Sequence, residues 1–481
     1  MSERLRPRDV ALLAEESPST PMHNATVEIF DPGQSGFDYP QLVRLVQERI
    51  SFVPRYRQRV QTVPGRIANP VWVDDQGFDI GYHVRRSALP RPGSLDQLRE
   101  LVARIVSRPL DRSRPLWEIY FVEGLADGRV ALLSKSHQVL VDGIHTVDLG
   151  QVLLDTSPEP KQLGADEWRP DGRPSPFSLM AAAVKDSVAE RGTVADTARS
   201  ATGAVFRGAT GAARTAGRIA DALTNRTTAA DSPIIGPLSQ QRRVVAVRTS
   251  LADYRTVREA HGGTVNDVIL ATVTGALRAW LMTRGESMRG IRQIRAVVPV
   301  SVIDDELEAT SLGSQIAPHF VDLPVWEASP VVRLHQVSYS FQTHKDTGRA
   351  VGASRLTSIS GFAPASFHAI GSRLAAAERR SYQLNVTNVP GPQAPLYAAG
   401  ARMVETYPVL PLLEDHPLAI GVTSYDGHVF YGITADRDLL PDADLLGTCV
   451  QEALDELLDS ATGGRTRAPR GRRKRKQETT T

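Results

Sequence analysis

Two mixed halves of strand and helix, an α/β (α+β) fold, are what the apolar patterning of the chain predicts. Short period-two runs that suit strands recur among amphipathic stretches of helical spacing from one end to the other, with no all-helical or all-strand portion. Between about 165 and 232 the composition shifts to Ala, Gly, Thr, Arg and Asp with few bulky side chains, which marks the boundary between the halves. At 481 residues, 41% of them apolar and 23% charged, the chain is long enough to bury two cores.

Within residues 1–164, the segment 96–106 sets Leu98, Leu101, Val102 and Ile105 on one face and reads as a helix. Strands are expected at 117–122 and 129–136, joined by the turn Gly124-Leu125-Ala126-Asp127-Gly128. Residues 165–240 read as an Ala/Gly-rich linker or crossover. Their alanines support helix, but large apolar residues are too sparse for a strong buried face, and a helix adsorbed to lipid is the alternative. The second half, 241–464, restarts with a strand at 242–247 and a helix over 266–281 that Asn266 could cap. Further strands are expected at 294–302, 383–389, 418–425 and 428–435. Residues 465–481 read as a basic disordered tail.

Cys449 is the single cysteine, which excludes an intrachain disulfide framework and suits an apolar core position. The N-terminus has no apolar signal region, and no window approaches the roughly 18 uninterrupted apolar residues of a membrane span, so a cytoplasmic location is expected. The formal net charge of +2 hides an asymmetry. Residues 465–476 carry eight Lys or Arg and Glu478 is the one acid beyond them, so a tail of +7 leaves the body at about −5. Such an arm can touch anionic lipid headgroups, at about 1 kcal/mol per basic residue near the surface, or stay solvated. The body has no basic stripe with interleaved aromatics, so nucleic-acid binding is not expected. A serine hydrolase is disfavoured because G-x-S-x-G is absent, and P-loop, dinucleotide and zincin motifs are absent too.

One stretch, Lys135-Ser136-His137-Gln138-Val139-Leu140-Val141-Asp142-Gly143, concentrates groups that carry chemistry. An imidazole, with an ordinary pKa near 6.5, suits a general base at neutral pH, whereas the Gln138 amide can only donate or accept hydrogen bonds. On a strand, His137 and Gln138 point to opposite faces unless the strand bends. Gly143 permits a tight or positive-φ backbone, and Asp142 is better suited to locking that turn than to acting as base.

The stretch resembles the H-H-x-x-x-D-G signature of coenzyme A-dependent acyltransferases, with Gln138 in the second histidine's place. Around it, Asp9, Glu16 and Pro21-Met22-His23, then Pro115-Leu116-Trp117-Glu118, Asn266-Asp267, Asn388-Val389-Pro390-Gly391-Pro392 and Ser424-Tyr425-Asp426-Gly427 stand in order. This set resembles the bacterial wax ester synthase/diacylglycerol acyltransferase family over nearly the whole chain. The resemblance implies a chloramphenicol acetyltransferase-like fold of two halves meeting at a channel, with the histidine motif at their interface. It implies an acyl-CoA donor as substrate, diacylglycerol or a fatty alcohol as acceptor, peripheral contact with membrane or lipid droplets, and neither metal nor prosthetic group.

In the family the second histidine takes the acceptor's hydroxyl proton. With Gln138 there, His137 is the expected base and His145 a substitute, while Asp142 and Gly143 support the turn. The developing oxyanion needs donors, each worth about 3 kcal/mol; Asn266 is the candidate, and Asn388 is expected at the oxyanion site or the channel. Pro115, Leu116 and Trp117 are expected to shape the channel or to pack. Two further departures are Ile303, where the family usually has arginine, and Ser314, where it has asparagine; Arg292, Arg295 and Arg333 are candidate replacements as partner of Asp142. The alternatives to lipid esterification are a non-catalytic lipid-binding member and transfer to a non-glycerolipid alcohol or amine.

Overall fold

The structure is a computed structural model that describes residues 3–33, 35–140, 149–160, 168–172, 174–181, 232, 234–286, 294–301, 316–345, 364–379 and 381–463. The first half runs α1 (Pro7–Glu15), β1 (His23–Asp31), α2 (Tyr39–Arg49), β2 (Gln58–Gln61), β3 (Val71–Asp74), α3 (Ile80–His83), β4 (Val84–Ala88), α4 (Leu95–Val106), β5 (Trp117–Glu123), β6 (Val130–His137) and α5 (Leu149–Leu153). The second runs β7 (Arg242–Ser250), α6 (Leu251–His261), α7 (Val265–Thr283), β8 (Ile294–Ser301), β9 (Ile316–Leu323), α8 (Pro330–Lys345), α9 (Pro364–Ala377), β10 (Leu384–Pro390), β11 (Tyr397–Ala398), β12 (Ala401–Val409), β13 (Leu418–Tyr425), β14 (His428–Asp436) and α10 (Ala443–Thr462).

Local chemistry explains the helix starts. Ser94 accepts from the Gln97 N–H, and the Gln97 side chain accepts from the Ser94 N–H, a reciprocal cap that launches α4 with Leu98, Val102 and Ile105 buried as their spacing predicts. At α7 the cap is Thr264 and not Asn266: its hydroxyl accepts from the Asp267 N–H at 3.2 Å, and Asp267 returns a bond to the Thr264 N–H at 2.9 Å. Asn266 lies one position inside the helix, which frees its side chain for other partners.

Among the described residues the strands form two six-stranded sheets and one β2–β3 pair. The second sheet is ordered β7-β14-β13-β10-β8-β9, with β10 parallel to β13 and β8. The first is ordered β11-β12-β1-β6-β5-β4, so two strands from beyond residue 390 complete the N-terminal sheet. A boundary at 241 therefore divides the chain but not the sheets. β12 lies antiparallel to β1, Ala25 opposite Val409, and then turns onto the second sheet. There it passes so close that a Cβ on Gly432 would stand 1.7 Å from the Pro408 carbonyl oxygen, and one on Gly421 would stand 2.8 Å from the Pro408 ring. Only glycine fits at that crossing.

Each sheet has its own apolar core, one including Phe30, Leu133 and Trp117, the other including Val268, Leu277 and Tyr431. Among the described residues α7 alone is long and apolar enough on average to cross a membrane, although Asp267, Thr272, Thr274 and Arg278 interrupt its apolar run. Its length serves packing here: Val268, Leu270, Val273, Leu277 and Trp280 are fully buried in the second core. Cys449 is buried as expected, and burial pushes its thiol up to about 11. Most of the linker and the whole basic tail lie outside the described residues.

Candidate active site

β6 ends at His137 and the chain turns immediately into a 3₁₀ turn, Gln138–Leu140. Two distant segments receive the backbone at this bend. His137 donates its N–H to the Leu116 carbonyl and Gln138 donates its own to the Met22 carbonyl, both at 2.9 Å. The sequence patterns around Pro115 and Pro21 thus meet at one point, each supplying a carbonyl to a consecutive motif residue.

The neighbours of those carbonyls are packing groups. Pro115 and Leu116 are buried, and the Trp117 indole donates to the Tyr56 carbonyl at 2.7 Å. The Trp117 ring stacks on His83 at 4.6 Å, and the His83 Nδ1–H donates back to the Trp117 carbonyl at 2.8 Å. His23 of β1 donates Nε2–H to the Val106 carbonyl at 2.9 Å, and Lys135 donates to the carbonyls of Ile105 and Arg108 at 3.2 and 2.5 Å. Two side chains beside the motif therefore cap the negative C-terminal end of α4. Burial lowers Lys135 to about 8, with Glu118 at 3.8 Å opposing that shift.

His137 is fully buried, and its Nδ1 accepts the Val139 N–H at 3.1 Å. The ring proton therefore sits on Nε2, which faces Glu16 Oε1 at 3.7 Å. Burial, then the nearby Arg112 and Arg373 charges, drive its pKa down to about 3. In this arrangement the one lone pair of the neutral ring is engaged by the backbone and burial makes protonation costly, which weighs against His137 as a general base.

Gln138 is also fully buried, yet neither Oε1 nor Nε2 has a hydrogen-bond partner among the described residues. Leaving such an amide unpaired costs about 1–3 kcal/mol per polar atom, and the amides of Asn24 and Asn385 are likewise buried without a bond among the described residues. Around the turn, two carboxylates engage arginines. Glu16 pairs with Arg112, whose Nε lies 2.6 Å from Oε2, and Asp9 of α1 forms an ion pair with Arg373 of α9. Arg373 also donates to the Gln138 carbonyl at 3.4 Å. No sequence signal indicated Arg373, which stands 364 residues from Asp9.

Asn388 at the end of β10 donates Nδ2–H to Asn266 Oδ1 at 2.9 Å, which brings together two residues that nothing in the sequence pairs. Both are half-buried, and the Nδ2 donor of Asn266 and the Oδ1 acceptor of Asn388 are not used in that bond. Farther along, Ser424 accepts from the Gly391 N–H at 3.3 Å, and Tyr425 donates to the Met403 carbonyl of β12 at 2.9 Å. The Pro390-Gly391-Pro392 and Ser424-Tyr425 segments thereby tie the second sheet to a strand of the first. Asp142, Gly143, His145, Ile303, Ser314 and Arg292 lie outside the described residues. Of the arginines considered as partners for Asp142, Arg295 is engaged with Asp322 at 2.8 Å and Arg333 with Glu456 at 2.5 Å.

The family model for the wax ester synthase/diacylglycerol acyltransferase catalytic domain matches residues 5–269, more than half of the chain, and that for the C-terminal domain matches 312–458. The chain belongs to the wax ester synthase/diacylglycerol acyltransferase family. Acyl transfer is the chemistry of that family, and its two matched domains contain every segment that meets at the Gln138 turn. A probable diacylglycerol O-acyltransferase of Mycobacterium tuberculosis, tgs1, is 33% identical over 436 residues, 90% of either chain. Another from that organism, tgs3, is 41% identical over 260 residues, which is 54% of this chain and 96% of the relative. The solved wax ester synthase/diacylglycerol acyltransferase of Marinobacter aquaeolei superposes with a TM-score of 0.66 at 25% identity, covering 95% of this chain and all of that one. A condensation domain of the calcium-dependent antibiotic synthetase shares the fold at 14% identity, with a TM-score of 0.56 over 96% of each chain. The two-half fold of coenzyme A-dependent acyltransferases is thereby established for this chain.

Proposed function

We propose that the protein transfers the acyl group of an acyl-CoA to the hydroxyl of a lipid alcohol, diacylglycerol first and long-chain alcohols second, giving triacylglycerol or wax ester. The observation that supports this reading is the convergence of the Pro21 and Pro115 motif segments on the Gln138 turn, with a buried amide that has no partner among the described residues at the position of the family's catalytic histidine. The acceptor oxygen attacks the thioester carbonyl carbon, the C–S bond breaks, and coenzyme A leaves as thiolate. Gln138 Oε1 can accept the hydrogen of the attacking hydroxyl while Nε2–H faces developing negative charge, which orients the reactants without removing a proton. That proton ends on the leaving thiolate directly or through solvent, so turnover is slower than with an imidazole at 138. Acyl-CoA is a substrate in this scheme, and no metal or prosthetic group has a part in it. Contact with a lipid surface belongs to the same reading, because the acceptor is dissolved there.

Purified protein given labelled acyl-CoA and diacylglycerol is expected to form labelled triacylglycerol. Preference for an amine or a water-soluble alcohol would move the reading to a condensation-type transferase. Tight acyl-CoA binding with no loss of thioester above background would replace transfer by lipid binding.

A further inference from the structure

We propose that Arg373 is a positioning residue through which the second half of the molecule sets the orientation of the Gln138 turn, a role that rests on the acyl-transfer reading above. The helix that carries it, α9, is seated firmly on the second sheet. A Cβ on Gly371 would stand 2.7 Å from the Pro299 ring of β8 and 3.0 Å from Thr387 of β10, and His368 meets the Thr387 hydroxyl at 2.5 Å. Burial holds His368 as a neutral imidazole, lowered to about 3, so the seat carries no charge at neutral pH.

From that fixed helix the guanidinium of Arg373 crosses to the first half. One nitrogen pairs with Asp9 of α1 and the other donates to the carbonyl oxygen of Gln138. The side chains are 11% and 9% exposed, so water screens the pair little. Two residues past the end of α9, Arg379 reaches Glu15, the last residue of α1, at 3.5 Å and Glu414 at 3.3 Å, a second link from this segment to α1. A buried pair of this kind gains little net stability, because desolvation offsets the attraction. Its distinctive consequence is geometric: the Gln138 carbonyl is fixed by Arg373 while the Gln138 N–H is fixed by Met22, so the residue is held from both halves at once. If α9 shifts on its sheet, the peptide that orients the Gln138 amide shifts with it.

The full-length protein tests this by two readouts. Amide hydrogen exchange at Gln138 and Val139 is expected to accelerate about tenfold or more in Arg373→Met, with the β5 amides unchanged, as for a turn that opens locally. In the same variant kcat is expected to fall about tenfold while the KM for acyl-CoA stays nearly constant, because misplacement and not donor binding is affected. Arg373→Lys retains a donor and is expected to recover most of both. The charge-reversed double variant Asp9→Arg with Arg373→Asp restores the ion pair and the melting temperature but has no donor for the Gln138 carbonyl at 373, so exchange stays fast. Slow exchange in Arg373→Met, or full recovery of slow exchange in the double variant, overturns the proposal. Exchange is read without turnover, so its outcome stands apart from whether the protein is an acyltransferase.

Discussion

Gln138 and His137 are both fully buried at the turn, and their polar atoms are engaged differently. The imidazole accepts the Val139 N–H at Nδ1 and leaves Nε2 without a hydrogen bond, while the amide, which takes up no proton, has neither polar atom bonded among the described residues. Gln138→His is therefore expected to raise the turnover of labelled acyl-CoA by about a hundredfold, the usual contribution of a positioned general base. His137→Asn, whose Oδ1 can still accept the Val139 N–H, is expected to leave turnover nearly unchanged; a collapse in kcat without loss of fold would return the base to His137. Buried histidines also set the acid limit of stability. His23, His137 and His368 all have pKa values lowered chiefly by burial. Each is neutral when folded and takes up a proton on unfolding below its ordinary pKa of about 6.5, so its contribution is present above that pH and is lost as pH falls. Urea unfolding between pH 8 and 5 should show a plateau at the alkaline end, then a decline of about 1.4 kcal/mol per pH unit for each such histidine. Replacing His137 with Asn removes one increment of that slope. The types at 137 and 138 were legible in sequence, but their roles were not, because alternation along β6 ends at the 3₁₀ turn and only tertiary neighbours decide which polar atom is satisfied.

Elements whose pattern was purely local matched their sequence closely: α4, β5, β6, β13 and β14 fall within a residue or two of their apolar spacing. The start of α7 did not, since Thr264 and Asp267 form a reciprocal cap that displaces Asn266 from the role. Thr264→Ala is expected to lower the unfolding free energy by about 1 kcal/mol, read by urea titration, whereas Asn266→Ala is expected to disturb the bond to Asn388 and spare stability. β12 was missed for a definite reason. Its burial alternates only from Ala401 to Glu405 and is continuous from Glu405 to Val409, where Pro408 argues against a paired strand and Glu405 against a core face. Glu405 is held there by the Tyr407 hydroxyl at 2.7 Å and by Arg129 and Arg248 at 3.4 and 3.5 Å, partners that come from three separate strands or loops.

At the scale of the molecule the two halves are interwoven. Residues 1–240 expressed alone lack β11 and β12, which leaves β1 an open edge and deprives Ser107 of its bond from the Arg242 N–H at 3.0 Å. That fragment is expected to aggregate or to unfold without a cooperative transition, and coexpression with 241–481 is expected to recover soluble protein; a stable, cooperatively folding fragment would show that the added strands are dispensable. Gly432→Ala is expected to destabilise by about 3 kcal/mol, read by thermal and urea unfolding, because the added methyl meets a carbonyl of the crossing strand that cannot retreat. The sequence by itself determined the mixed fold class, the family, the order of its motifs and the substitution of Gln138 for a histidine, since these follow from residue types and short-range periodicity. Only the tertiary structure decided that β12 completes the first sheet, that His137 and Gln138 are both fully buried, that the Gln138 amide has no partner among the described residues and that Arg373 reaches its carbonyl. Those outcomes depend on contacts between residues hundreds of positions apart, and such contacts leave no period or spacing in a single chain.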